Sequence, residues 1–205
     1  MSILIVCAVA AELGALRRRD GVEVVAVGVG PVEAAAGTAR ALAGRRFEAA
    51  INAGIAGGFR GRAAVGDAVA VAVEYYVELG LEDGTAFPLP DGLTLLRRAD
   101  ADTQLLRACR DPRVRARIGT GISSATVTST DTRAAELAAR FGADVESMEG
   151  FAFLRAADAA GVPAVELRGV SNLVGDRAAN GWDFRAGAQA AVATTDALLD
   201  VLLAR

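Results

Sequence analysis

Two glutamates stand where an apolar chain tolerates them least. Glu12 follows the run SILIVCAVA (2–10), and Glu149 lies in DVESMEGFAF (144–153) beside Met148, Phe151 and Phe153. Ionised carboxylates are rarely buried without a partner, so a pair at two apolar strand ends implies something for them to face. A carboxylate can take a proton from water or stabilise a developing cation. The sequence has no histidine. That removes Ser–His–Asp and Cys–His nucleophile systems and His-ligated metals, and leaves the chemistry to carboxylates, hydroxyls, amides, arginine and backbone. Each glutamate also has a plainer reading, as an acid in the first turn of a helix.

Other groups gather at the same kind of position. NAGIAGGF (52–59) reads as a short strand running into a glycine loop whose free N–H groups can approach a ligand, or as a tight turn. No Gly-Lys-Ser/Thr follows it, and VGVGPVEAA (27–35) has Glu33 where a G-x-G-x-x-G would place its third glycine, so neither nucleotide-loop pattern is complete. VSNLVGDR (170–177) leaves a strand through Ser171 and Asn172. That is a turn signal or an amide that reads a heterocycle edge. Arg168 can neutralise a nearby carboxylate or be a partly buried surface residue. Glu146 is expected to point away from Glu149 and to be structural. Trp182 reads equally as a lid or as core.

These residues need a scaffold, and its pattern is an alternation. Apolar strand patterns at 2–10, 22–30, 49–52, 66–78, 116–129, 143–147 and 162–172 are separated by helical patterns at 11–19, 31–44, 102–110, 130–142, 148–161 and 183–205, with 79–92 as loop or hairpin. Such alternation predicts a single α/β domain, a three-layer sandwich with a mixed, largely parallel central sheet between helices. Ligands of these folds collect at the carboxyl ends of strands. Glu12, the 52–58 segment, Thr130, Glu149 and Ser171–Asn172 all fall there.

Composition narrows the partners. The 205 residues are 53% hydrophobic with a formal net charge of −3, and all 22 basic residues are arginine. This argues for a globular core and against a nucleic-acid binder. Cys7 and Cys109 lack metal-like spacing, so neither metal nor other cofactor is expected. No basic segment precedes the first apolar run and no apolar stretch reaches ~18 residues, so neither a signal peptide nor a membrane span is predicted, and a cytoplasmic location is expected.

Taken together, NAGIAGGF with GDAVAV, SMEGFAF (147–153) and RGVSN (168–172) resemble the glycine loop and following strand, the Met-Glu ribose motif and the base-recognition strand end of the purine nucleosidase and nucleoside phosphorylase superfamily. The resemblance spans nearly the whole chain. Within it, VESMEG and SNLVGDR…W look like the futalosine hydrolases, which are related to the methylthioadenosine/S-adenosylhomocysteine nucleosidases. The adenine-specific enzymes typically carry Asp where this chain has Asn172. The resemblance implies a small-molecule purine nucleoside, futalosine, as substrate, hypoxanthine as product, a place in menaquinone biosynthesis, and a homodimer or higher oligomer.

It also implies roles. Glu12 would activate water, Met148 pack on the ribose, Glu149 bind its 2′ and 3′ hydroxyls, Asn172 contact the purine, and Arg168 position Glu12 or the water. Gly54, Ile55, Ala56, Gly57, Thr130, Ser147 and Ser171 complete the expected substrate contacts. Two departures stand out: Ile55 replaces a serine that helps hold the water in the related nucleosidases, and Ser147 replaces a glutamate. Arg133, Thr130 and Arg177 are candidates to meet a carboxylate on the 5′ substituent. The other readings are an adenine-type nucleosidase, acting on methylthioadenosine, S-adenosylhomocysteine or aminofutalosine, a phosphorylase, and a nucleoside-binding module. The strand-1 exit AVAAEL puts an acid where a phosphorylase needs phosphate donors, which favours water as nucleophile.

Overall fold

A computed structural model describes residues 1–81 and 87–204. Its strands are β1 (Ile3–Cys7), β2 (Val22–Ala26), β3 (Ala49–Gly58), β4 (Ala68–Tyr76), β5 (Arg98–Asp100), β6 (Arg117–Ser123), β7 (Val145–Ser147) and β8 (Ala164–Leu173). The helices are α1 (Pro31–Leu42), α2 (Thr103–Cys109), α3 (Asp131–Phe141), α4 (Gly150–Ala159) and α5 (Phe184–Leu203). Local chemistry sets the helix ends. Pro31 opens α1, the Asp102 and Thr130 side chains accept backbone N–H groups at the starts of α2 and α3, and Gly142 ends α3 in the left-handed region at φ 62°.

The sheet runs β2-β1-β3-β7-β6-β4-β5, with β8 pairing both β3 and β4. β3, β8, β4, β6 and β7 therefore close into a ring. Pairings β1–β2, β1–β3, β3–β8, β4–β6 and β6–β7 are parallel, whereas β3–β7, β4–β5 and β4–β8 are antiparallel. The expected mixed, largely parallel α/β architecture is what the chain adopts. Strand alternation feeds both faces: Ile3, Ile5 and Cys7 of β1 pack with α2 and α5, while Leu4 and Val6 pack with α4 and the α1 side. Inside the ring lie Ala56, Val69, Val71, Val145 and Val170.

Several boundaries differ from expectation. The predicted helix at 11–19 is a single 3-10 turn, Ala10–Leu13, because Arg17 and Arg19 are drawn instead to Asp196 and Asp200 on α5. The predicted glycine loop is strand: β3 continues to Gly58, paired to β8 on one side and β7 on the other. Glycine weakens a strand but admits close neighbours, and here both sides supply them. The strands expected to reach residues 30 and 129 stop at Ala26 and Ser123. β5 has no counterpart among the expected strands, since three residues carry no period. Of the loop or hairpin expected at 79–92, residues 82–86 lie outside the described residues. α5 has the length and composition of a membrane-crossing helix, but its Ala191, Thr195, Leu198 and Leu199 are fully buried and it packs on the sheet as a core helix.

Candidate active site

The strands deliver their ends to one mouth. A cavity of ≈ 240 Å³ is lined by Glu12, Ile55, Ala56, Gly57, Ser147, Met148, Glu149, Ser171 and Asn172, with Val9, Val29, Val127, Trp182 and Phe184 adding apolar surface. Nine residues picked from the sequence thus come together. Three do not line it. Thr130 caps α3 by accepting from the Arg133 N–H at 3.2 Å, Gly54 lies behind Glu12, and Arg168 is 1% exposed, which removes the surface reading of that residue.

Glu12 combines both of its readings. Its Oε2 accepts the Val9 N–H at 3.0 Å, a helix-start contact, and its Oε1 accepts the Ile55 N–H of β3 at 3.0 Å. The carboxylate is thereby fixed in orientation at the cavity wall. Ile55 contributes through its backbone, which is how a position lacking the expected serine still takes part. Glu149 immediately precedes α4, and its Oε1 accepts the Gly30 N–H at 3.0 Å. The segment VGVGP, read from sequence as an incomplete nucleotide motif, is in fact what holds this second carboxylate.

Behind both stands Arg168. Its Nη1 is 3.7 Å from Glu149 Oε2 and donates to Ile55 O at 3.3 Å, its Nε donates to Glu166 Oε1 at 2.6 Å, and its Nη2 donates to Asn52 Oδ1. Burial works to lower the guanidinium pKa, but the charges of Glu166, Glu149 and Glu12 outweigh it and the group stays cationic. A Cβ on Gly54 would lie 2.7 Å from Glu12 Oε1 and 2.9 Å from Arg168 Nη1. Only glycine lets the acid and the guanidinium close over this strand.

A deeper layer escaped the sequence reading. Glu166 and Glu74 are fully buried. The Ser147 Oγ donates to Glu166 Oε1 at 3.3 Å and accepts the Gly150 N–H at 3.3 Å, tying Glu166 to the turn that carries Glu149. Ser147 therefore serves as a link as well as lining the cavity. Glu74 accepts the Ser123 hydroxyl at 2.7 Å; burial, then the charge of Glu166, push its carboxyl well above the usual range. The signal for Glu166 was present: in AVELRGV it shares a strand face with Arg168 at spacing two.

On the opposite wall a bulge in β8 re-aims the chain. Ala56 pairs with Val170 but Gly57 pairs with Asn172, leaving Ser171 as the extra residue. Asn172 Oδ1 accepts from Ser171 Oγ at 2.9 Å and from the Trp182 indole N–H, and its Nδ2 donates to Leu173 O at 3.1 Å. An indole N–H can only donate, so the amide oxygen is occupied, and Nδ2 of this cavity-lining residue has a second N–H beyond the one given to Leu173 O. Trp182 is 56% exposed, with Arg177 4.1 Å over its ring. It is a cover at the cavity edge, and the core reading fails. Arg133 pairs on the surface with Glu136. Glu146 also lines the cavity, so the expectation that it points away from the site is corrected: its register places it directly opposite Gly57 of β3, on the face that Gly57 presents.

The sequence pattern of the phosphorylase superfamily matches residues 12–204. The futalosine hydrolase of Streptomyces coelicolor is 42% identical over 190 residues, which cover 89% of this chain and 79% of that protein. The chain belongs to the futalosine hydrolase family of the phosphorylase superfamily. A second futalosine hydrolase, from Thermus thermophilus, is 34% identical over 172 residues, 76% of this chain and 71% of that one. Among solved structures, futalosine hydrolase of Helicobacter pylori superposes with TM-score 0.81 at 15% identity, covering 97% of both chains. The methylthioadenosine/S-adenosylhomocysteine nucleosidase of Colwellia psychrerythraea in complex with adenine gives 0.82 at 20% identity, over 98% of this chain and 96% of that one. At those identities the likeness is one of fold, and the family's nucleosidase-type fold is the one described above.

Proposed function

We propose that this protein is an N-ribosyl hydrolase that cleaves the C1′–N9 bond of futalosine, releasing hypoxanthine and dehypoxanthinylfutalosine in menaquinone biosynthesis. The observation that carries the reading is the meeting of Glu12 and Glu149 in one largely apolar cavity, in a chain 42% identical to a futalosine hydrolase. As the C1′–N9 bond breaks, the bonding pair leaves on the purine and positive charge grows on the ribosyl ring. Water attacks C1′, Glu12 takes one of its protons, the hydroxyl remains on the sugar, and the departing purine anion takes up a proton from solvent to become hypoxanthine while Glu12 returns its own. Glu149, anchored by Gly30 and Arg168, is suited to hold the ribose hydroxyls and to stabilise the oxocarbenium-like ring, an interaction strongest in a dry site.

Water fits this site better than phosphate does. A phosphorylase surrounds its anion with donors, whereas here the acid Glu12 occupies the nucleophile's side with both oxygens oriented by backbone N–H groups. The second Asn172 N–H supports a 6-oxopurine, offering a donor to O6 or N7. An adenine-type enzyme would want an acceptor toward the 6-amino group at that place.

The same proposal places the protein in the cytoplasm, supported by two free, buried cysteines whose thiol pKa values burial raises to about 12. It also makes the protein a homodimer or higher oligomer, supported by exposed Val29, Val127, Trp182 and Phe184 at the cavity mouth. The test is chromatographic assay of purine release from futalosine, aminofutalosine, methylthioadenosine and inosine, with and without phosphate. The expected result is hypoxanthine from futalosine at the same rate in phosphate-free buffer, with free sugar as co-product. A sugar 1-phosphate, or faster release of adenine from any of the amino compounds, would overturn it.

A further inference from the structure

Glu149 stands at the N-cap of α4, yet its side chain makes no capping bond. One carboxylate oxygen takes the Gly30 N–H at 3.0 Å, and the other lies 3.7 Å from Arg168 Nη1. The first turn of a helix leaves backbone N–H groups with no partner inside the helix. A side-chain oxygen at the N-cap normally accepts from them, and their partial positive charge attracts an acid. Gly150 and Ala152 of that turn are buried, so water is a poor substitute. If Glu149 is to face the cavity, other groups must satisfy its helix.

Two serines do. The Phe151 N–H donates to Ser123 Oγ at 2.8 Å, and the Gly150 N–H donates to Ser147 Oγ at 3.3 Å. Ser123 and Ser147 are register partners on the parallel strands β6 and β7, which brings both hydroxyls to one helix start. A hydroxyl has a single proton, and each serine gives it to a fully buried acid: Ser123 to Glu74 Oε1 at 2.7 Å, Ser147 to Glu166 Oε1 at 3.3 Å. With the proton fixed on that side, the oxygen lone pairs are left for the helix N–H groups. The Oε2 atoms of both acids have no hydrogen-bond partner among the described residues. A Cβ on Gly121 would collide with Glu74 Oε2, and one on Gly150 with Glu166 Oε2. Glycine therefore keeps room for two acids that are costly to bury and that the hydrolytic chemistry does not touch.

We propose that Glu74 and Glu166 are positioning residues for ribose binding: through the Ser123 and Ser147 hydroxyls they take over the capping of α4 and so release the Glu149 carboxylate to the substrate. This rests on the hydrolase reading, in which Glu149 holds the ribose hydroxyls, and deepens it. Without the serine caps, the Glu149 side chain has its own helix start as a competing partner and turns away from the sugar.

The experiment measures calorimetric affinities of hypoxanthine, inosine and 2′,3′-dideoxyinosine in a Glu12→Gln background, which leaves the nucleosides uncleaved. Hydroxyls paired with a charged carboxylate should separate inosine from the dideoxy compound by roughly tenfold to a hundredfold. Ser123→Ala, Ser147→Ala and Glu74→Leu should each shrink that ratio while hypoxanthine affinity stays the same, since the free base makes no sugar contact. Glu74→Gln keeps an acceptor for the Ser123 hydroxyl and should preserve the ratio. A merely structural role would lower all three affinities together and leave the ratio unchanged, which would overturn the proposal. A second measurement needs no variant: amide hydrogen exchange at Gly150 and Phe151 should be slowed well below the rate of a free peptide, and exchange at the free rate would also overturn it. Futalosine cleavage by the wild type separates the two ideas. Hypoxanthine release with an unchanged inosine ratio in the serine variants sinks the capping role alone, whereas no release sinks the function itself.

Discussion

Arg168 and Glu166 sit two residues apart on β8 and pair along the same face of the strand, Nε to Oε1 at 2.6 Å, with both side chains essentially sealed from solvent. From this pair the network branches to Asn52, Ile55, Ser147 and Glu149. A buried ion pair gives little net stability over apolar replacements, but removing one member strands the other.

Arg168→Met should therefore destabilise the fold by about 3–5 kcal/mol, read as a lower urea midpoint at unchanged slope. Arg168→Met combined with Glu166→Leu should recover much of that loss while activity stays low. An unshifted midpoint in the single variant would mean that the buried network does not depend on this cation.

Glu12→Gln should reduce kcat by at least ~10²–10⁴-fold, the usual worth of a general base, with nucleoside affinity nearly kept, because Gln preserves the shape. Glu149→Gln should weaken both binding and turnover, since sugar contacts and charge opposite the cationic ring are lost together. Steady-state kinetics alongside calorimetric affinities distinguish the two. Near-normal turnover in Glu12→Gln would reduce Glu12 to its contact with the Val9 N–H.

Asn172→Asp should move the kcat/KM ratio toward aminofutalosine over futalosine, by roughly tenfold or more. The Trp182 and Ser171 donors already satisfy one oxygen at this position. The second oxygen would then replace a donor with an acceptor. An unchanged ratio at one pH would remove Asn172 from base selection.

Glu74 gives a pH prediction. Its folded pKa is raised well above the ordinary 4.5 by burial first and the charge of Glu166 second. The native state then holds a proton that the unfolded chain releases, so this contribution is full below pH 4.5 and is lost as pH rises through the folded value. One such proton tilts stability by up to ~1.4 kcal/mol per pH unit. Glu74→Gln should flatten the decline of stability above pH 4.5 in denaturation series. A variant as steep as the wild type would show that Glu74 ionises freely in the fold.

How far the sequence reveals all this depends on the kind of signal. β1, β8 and the helices with caps at Thr130 and Gly142 are legible because burial on both faces and capping chemistry act over adjacent residues. Glu12, Glu149 and Asn172 are legible as polar residues at strand ends. The extension of β3 through its glycines is not, because those residues become strand only when β7 and β8 supply partners from over eighty residues away in the chain. The place of Glu146 at the cavity follows from its register opposite Gly57 in that same contact. Gly30 as the anchor of Glu149 is likewise a relation between distant segments, invisible to any local period.

Trp182 is the only tryptophan in the chain, and its indole N–H is engaged with Asn172 at the edge of the cavity while Arg177 covers its ring. Any molecule that takes hold of the Asn172 amide must disturb the electronic surroundings of that one chromophore. The protein thus carries a built-in optical reporter. Excitation at the red edge of indole absorption isolates a single emitter from the two tyrosines, and its wavelength and quenching follow occupancy of the cavity without any attached dye.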